Sequence, residues 1–170
     1  MDKYYRIPDY PDHLSSSSVL TRMLDGLGFR FYWATEGLRP EDYSFRPAPD
    51  TKSIEELVMH VWGLMNWVSS SALKKPYRKP EKGEIAREQA LVIIYDLRNT
   101  LLAMSDEDLK KLRIQGKPFW HLINGPFSDA LTHTGQINSF RRLAGNPVQG
   151  ANVFKGEPPE KKKADDSQLD

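Results

Sequence analysis

The chain has 170 residues, with 24 Lys and Arg, 23 Asp and Glu, four His and no Cys, and its formal net charge is +1. This length and a hydrophobic content of 39% are typical of one globular domain. Because the charges balance, no global charge favours a nucleic acid or an anionic membrane as partner, and because Cys is absent, disulfides, cysteine-ligated metals and a cysteine nucleophile are excluded.

An extended arm is predicted for the first residues, 1–14. Pro8 and Pro11 interrupt any regular element, and Tyr4, Tyr5 and Tyr10 are expected on the surface. The arm lacks the apolar run of a signal peptide, and no later segment approaches the roughly 18 consecutive apolar residues of a membrane span. These features predict a cytoplasmic protein without a membrane partner.

Two helices are predicted after the arm. Over residues 15–36, apolar side chains recur every three or four positions, as on one face of a helix. Prolines at Pro40, Pro47 and Pro49 predict that residues 38–51 form a loop. The next helix is predicted over residues 53–71, because Ser and Glu at its start have the spacing of a capping box.

A third helix is predicted over residues 84–104. It follows a basic connection at 73–83 that two prolines interrupt. Residues 105–111 are expected to add a short helical turn. Residues 113–124 then contain an apolar cluster that must pack, although its pattern defines no backbone type.

The fourth helix is predicted over residues 126–144. Pro126 suits the first helical position, and Gly145 suits a left-handed end of the helix. Arg141 and Arg142 near that end are expected to complement the helix dipole and to cap carbonyl groups.

Four long helical patterns without alternating strands predict an all-α fold. The expected architecture is an antiparallel four-helix bundle over residues 15–149. The remaining tail, 150–170, has little to bury and is expected to be mobile.

Three ionisable residues fall on helix faces that are expected to point inward. His60 lies between apolar neighbours on the second helix, and Asp129 and His133 lie four residues apart on one face of the fourth. Together they form a candidate site for one divalent metal, with coordination positions left for water or substrate. Two His and one carboxylate are also typical of non-haem iron, so oxygen or hydrolytic chemistry is a second enzymatic hypothesis.

The same residues have plainer structural interpretations. His60 and His133 fit core histidines that form hydrogen bonds within the bundle. Asp129 fits a carboxylate that complements the positive end of the helix dipole, and His121 is then the reserve ligand. Under these interpretations the protein is a non-catalytic dimeric bundle that binds a metal or a small ligand.

Two segments of the chain resemble a known family. The segment LRPEDYSFRPAPDTKSIEELVMHVWGL is similar to the proline loop and second-helix start of the DinB-like superfamily, which includes the YfiT-like proteins. The segment DALTHTGQINSFRRLAGNP is similar to the last helix of that family. By this resemblance His60 and His133 match metal ligands. Many members have a third His where this chain has Asp129, and the carboxylate is expected to take its place.

The resemblance also implies a fold and an activity. It implies a bundle with a long connection between two helices, a homodimer, and a divalent metal ion such as Ni, Zn, Fe or Mn. It implies thiol-dependent transfer or isomerisation of a small molecule, with a low-molecular-weight thiol as co-substrate and no nucleic-acid partner. A metal would hold such a thiol as thiolate at neutral pH, which supplies the nucleophile that a cysteine-free chain lacks.

Overall fold

Helices dominate the fold in the computed structural model, which describes residues 3–148 and 150–160. The long helices are α1 (Ser16–Thr35), α3 (Ile54–Ala72), α4 (Gly83–Leu102) and α7 (Ser128–Leu143), and the short ones are α2 (Pro40–Ser44), α5 (Asp106–Lys111) and α6 (Trp120–Leu122). Two short strands, β1 (Arg113–Ile114) and β2 (Lys117–Pro118), pair as an antiparallel hairpin. The mostly helical content agrees with the predicted all-α class.

The four long helices enclose one hydrophobic core. Helices α1 and α3 each pack against both α4 and α7. Fully burying one large apolar side chain stabilises the fold by about 2 kcal/mol. The largest fully buried side chains include Leu24, Leu27, Phe29 and Phe31 of α1, Ile54, Leu57 and Met65 of α3, and Ile93, Ile94, Leu97 and Leu101 of α4. Within the described residues, no helix is long and apolar enough to cross a membrane.

Two predicted helix ends that carry a specific signal are confirmed. At the start of α3, the Ser53 hydroxyl accepts a hydrogen bond from the Glu56 N–H at 3.2 Å, and the Glu56 carboxylate accepts one from the Ser53 N–H at 2.6 Å. This is the predicted capping box. After α7, Gly145 has a φ of 76°, the left-handed conformation expected of it.

Two connecting regions differ from the prediction. The segment 38–51 is not a loop throughout, because Pro40 begins the short helix α2, where its missing N–H is not needed. The fourth helix begins two residues after Pro126, and the residues before it form a wide helical turn, Ile123–Phe127, with a kink at Gly125. Pro126 lacks the N–H that a continuous helix would use at that point.

The arm packs on α1 and buries one of its tyrosines, which the sequence placed on the surface. Tyr4 is only 5% exposed, whereas Tyr5 and Tyr10 are exposed as expected. The Tyr4 ring occupies the space that Gly28 leaves without a side chain. A Cβ atom on Gly28 would lie 2.6 Å from this ring, so the missing side chain at Gly28 makes room for the arm.

Replacing Gly28 by Ala is expected to destabilise the protein, because the methyl group must displace the Tyr4 ring. In a Tyr4→Ala background the same change should stabilise it by up to about 1 kcal/mol, as Gly→Ala does at an open helical position. Urea unfolding followed by circular dichroism measures both effects. Gly63→Ala is the control, because its added Cβ meets no atom within 4 Å. Equal stabilisation in the two backgrounds would contradict the packing of Tyr4 against Gly28.

The first part of the tail also contacts the arm. Asn152 and Glu157 form an isolated antiparallel bridge, and the Ile7 N–H donates to the Gly156 carbonyl at 3.0 Å. Gly156 is buried against the Ile7 side chain. These contacts lie in the segment predicted to be mobile, of which residues 161–170 are outside the described residues.

A buried carboxylate connects α2 to the chain after α7. The Asp42 side chain is 1% exposed. It accepts hydrogen bonds from the Arg39 backbone and guanidinium at 2.8 and 2.7 Å, and from the Asn146 amide at 2.6 Å. The guanidinium hydrogen bond contributes most to holding the pKa of Asp42 well below its usual range.

Asp42→Asn is expected to lower the free energy of unfolding by about 2 kcal/mol at pH 7. The folded-state pKa is depressed, so the ionised carboxylate stabilises the protein above the unfolded value of about 3.9, and this contribution is lost as the pH falls below it. The difference between wild type and variant should therefore shrink towards pH 3 in urea-unfolding curves. Glu41→Gln, at an exposed neighbour that also faces Arg39, is the control. A difference independent of pH would contradict this role.

Candidate metal centre

Two imidazoles and one carboxylate meet between α3 and α7. His60 comes from α3, Asp129 from the first turn of α7 and His133 from the next turn. His60 Nε2 lies 3.2 Å from Asp129 Oδ2, and His133 Nε2 lies 3.3 Å from Asp129 Oδ1. One donor atom from each residue lies within 4.8 Å of the others. The structure therefore brings together the three residues that the sequence singled out.

These distances suit ligands that share one ion. Four tetrahedral ligands at about 2.1 Å from a zinc ion are about 3.4 Å from each other. The distance from each imidazole to its nearer Asp129 oxygen, Oδ2 for His60 and Oδ1 for His133, is close to this value. The donor set is two imidazole nitrogens and a carboxylate oxygen, which suits divalent ions such as Zn, Ni, Fe and Mn. The group could therefore hold one metal ion.

Gln136 fixes the orientation of one imidazole. His133 Nδ1 lies 2.6 Å from Gln136 Oε1. Because an amide oxygen only accepts hydrogen bonds, Nδ1 is the donor in this contact, and Nε2 is the ring nitrogen that faces Asp129 and that a metal ion would use. No role was predicted for Gln136. Its position three residues after His133 is the signal that could have identified it.

The centre lies at the edge of the core and opens to solvent. The side chain of His133 is 15% exposed, that of His60 38% and that of Asp129 46%. The sequence predicted that His60 lies inside the apolar stripe of its helix, whereas its side chain is partly exposed at the edge of that stripe, where it faces α7. This partial exposure leaves an open side through which water or another molecule could reach the group.

A cavity of about 590 Å³ adjoins His60. Its apolar wall includes Met59 and Trp62, and the Trp62 indole N–H donates to Gln89 Oε1 at 3.0 Å. The rim is formed by charged side chains of both signs, namely Lys52, Glu55, Glu56, Lys79 and Glu81. The volume is within the range of small-molecule sites.

The plainer interpretations of these residues are tested by their contacts. Asp129 lies in the first turn of α7, as the dipole interpretation requires, but its carboxylate contacts the two imidazoles, and no backbone N–H in the described part of the chain donates to it. His121 is not in this group: its ring packs edge-on against Trp67, with 6.0 Å between ring centroids. The reserve ligand is therefore separate from the three convergent residues.

The centre must be interpreted from its own geometry. No protein-family model matches the chain, and no curated protein or solved structure matches it either. The chemistry of the site is therefore inferred from the convergence of His60, Asp129 and His133, the Gln136 hydrogen bond and the adjoining cavity.

Proposed function

We propose that the protein is a divalent-metal-dependent enzyme of the DinB-like kind, which catalyses thiol-dependent transfer on a small molecule. The observation that carries this proposal is the convergence of His60, Asp129 and His133 at a partly exposed position. In this proposal the four long helices form the antiparallel bundle typical of that family. The long connection from α4 to α7 includes α5, the β hairpin and α6.

Each residue of the centre has a defined role in this proposal. His60, Asp129 and His133 would hold the ion, and Gln136 keeps the Nε2 atom of His133 free to bind it. When bound, a divalent ion would hold an incoming thiol as thiolate at neutral pH. The carboxylate of Asp129 adds a negative charge that a third His would not add, which makes an ion-bound ligand less acidic than in a site of three His.

The cavity beside His60 supports an enzymatic role, because it offers room for a substrate next to one of the three proposed ligands. Met59 and Trp62 would contact the apolar part of the substrate, and the charged rim would contact its polar groups. A site with only a structural role would leave no open coordination position and would need no adjoining cavity.

Apolar surface on α4 supports the proposed homodimer. Ile85, Val92, Tyr95 and Leu102 are between 36% and 43% exposed. Their spacing of seven, three and seven residues places them along one helix face, as in a helix that packs against a partner helix. Sedimentation velocity of the purified protein tests this association.

Thiol transfer by the metal-loaded protein tests the proposed activity. We expect protein loaded with Zn²⁺ or Ni²⁺ to accelerate the reaction of cysteine or glutathione with 1-chloro-2,4-dinitrobenzene, measured by absorbance. His133→Ala should abolish the acceleration, and His121→Ala should retain it because His121 is outside the group. Equal rates for His133→Ala and wild type would contradict the proposal. Metal binding without acceleration by any thiol would favour the non-catalytic bundle.

A further inference from the structure

A second cavity lies on the face of α7 opposite the metal centre. Successive helical residues are about 100° apart, so Leu131, Gly135 and Arg142 project roughly 120° to 180° away from Asp129 and His133. The cavity has a volume of about 610 Å³, and α1, α7 and the chain segment that follows α7 enclose it. It is therefore separate from the proposed metal centre, and its size is typical of a small-molecule site.

The polar lining of this cavity is positive. Arg30 of α1 and Arg142 of α7 both line it, together with the Asn138 amide, and no Asp or Glu is among the described lining residues. Neither arginine forms an ion pair within residues 3–148 and 150–160, whereas Arg39, Arg87 and Arg98 each contact a carboxylate. Two arginines without an ion-pair partner in the described residues therefore line one cavity.

The rest of the lining is mainly apolar. Trp33, Leu131, Val148 and Val153 form its walls. A Cβ atom on Gly135 would meet no atom within 4 Å, so the cavity is open at this position. A ligand that fits this lining has an apolar body and one anionic end.

Two side chains of the lining form hydrogen bonds to backbone carbonyls of residues that do not line the cavity. Arg30 Nη1 donates to the Gly26 carbonyl at 3.2 Å, and the Trp33 indole N–H donates to the Tyr5 carbonyl at 3.3 Å. These contacts orient the two α1 side chains before a ligand binds, which reduces the entropic cost of binding.

We propose that this cavity, the arginine cavity, binds a small amphipathic carboxylate. Arg30 and Arg142 contact the carboxylate, because guanidinium groups form strong charge-assisted hydrogen bonds to it. Trp33, Leu131 and the valines contact the apolar body. The proposal is independent of any metal at His60, Asp129 and His133.

Titration with sodium octanoate tests the proposal. The readout is the Trp33 indole signal in ¹H–¹⁵N NMR, assigned with Trp33→Phe. We expect octanoate to shift this signal in wild type and in His133→Ala. Octylamine, with the same apolar body and a positive end, should not shift it. Binding lost in His133→Ala would place octanoate at the metal centre and overturn the proposal, as would an unshifted signal in wild type.

Substitutions of residues that line the cavity test separately how the carboxylate and the apolar body of the ligand are bound. Arg30→Gln combined with Arg142→Gln should weaken octanoate binding at least about tenfold, and Gly135→Leu should block it by filling the cavity. Arg78→Gln, at an exposed arginine elsewhere, should bind as wild type does. Unchanged affinity in the double variant would overturn the role of the arginines. If inorganic phosphate bound as tightly as octanoate, the apolar walls would add nothing to the affinity. That result would overturn the proposed contact between these walls and the apolar body.

Discussion

His133→Ala is expected to remove tightly bound divalent metal from the protein. Two remaining ligands, His60 and Asp129, cannot hold an ion as three do, and we expect the affinity to fall by more than about a hundredfold. Plasma mass spectrometry of dialysed protein measures the metal content, and calorimetric titration with Zn²⁺ measures the affinity. Wild type should retain about one ion per chain.

The other ligands and a matched histidine make this test specific. His60→Ala and Asp129→Ala should lose metal as His133→Ala does, while His121→Ala should retain it, because His121 packs on Trp67 outside the group. If Asp129→Ala were the one ligand variant that retained metal, Asp129 would complement the helix dipole and would not be a ligand. A wild-type protein that takes up no ion would contradict the metal centre and the enzymatic proposal with it.

Arg141→Ala is expected to lower the free energy of unfolding by about 3 kcal/mol or more. Arg141 is 3% exposed. Its Nη1 donates to the carbonyls of Ala34 and Glu36 at 3.1 and 2.8 Å, and its Nε donates to Asn146 at 2.7 Å. Removing the guanidinium leaves carbonyl groups at the end of α1 buried without a donor. Urea unfolding measures the loss.

Arg142→Ala is the matched control, because the next residue has the same chemistry but is exposed and forms no ion pair in the described part of the chain. It should change the free energy of unfolding by less than about 0.5 kcal/mol. A loss below about 1 kcal/mol for Arg141→Ala would contradict its role in capping α1. Similar losses for both variants would point to the helix dipole of α7 instead.

For Arg141 and Arg142 at the end of α7, the sequence predicted a role but not the partners. Both were predicted to complement the helix dipole and to cap carbonyls. The carbonyls that Arg141 caps belong to α1 and to Asn146, so its partners depend on how α7 packs against α1. Arg142, one residue later, faces the arginine cavity instead.

Local signals in the sequence determined the long helices. Apolar periodicity defined their buried faces, the Ser53 and Glu56 pair set the start of α3, and Gly145 set the end after α7. Each of these signals acts within a few residues of chain, so it is readable without the tertiary structure. The same periodicity placed His60, Asp129 and His133 on candidate faces.

Only the tertiary structure decided which side chains meet. His60 and Asp129 are 69 residues apart in the chain, yet their donor atoms are 3.2 Å apart, a result of the packing of α3 on α7. Tyr4 is buried because Gly28, on another element, leaves space for its ring. The wide turn at Ile123–Phe127 and the arginine cavity likewise depend on neighbouring elements. Such contacts join distant parts of the chain, and no local pattern encodes them.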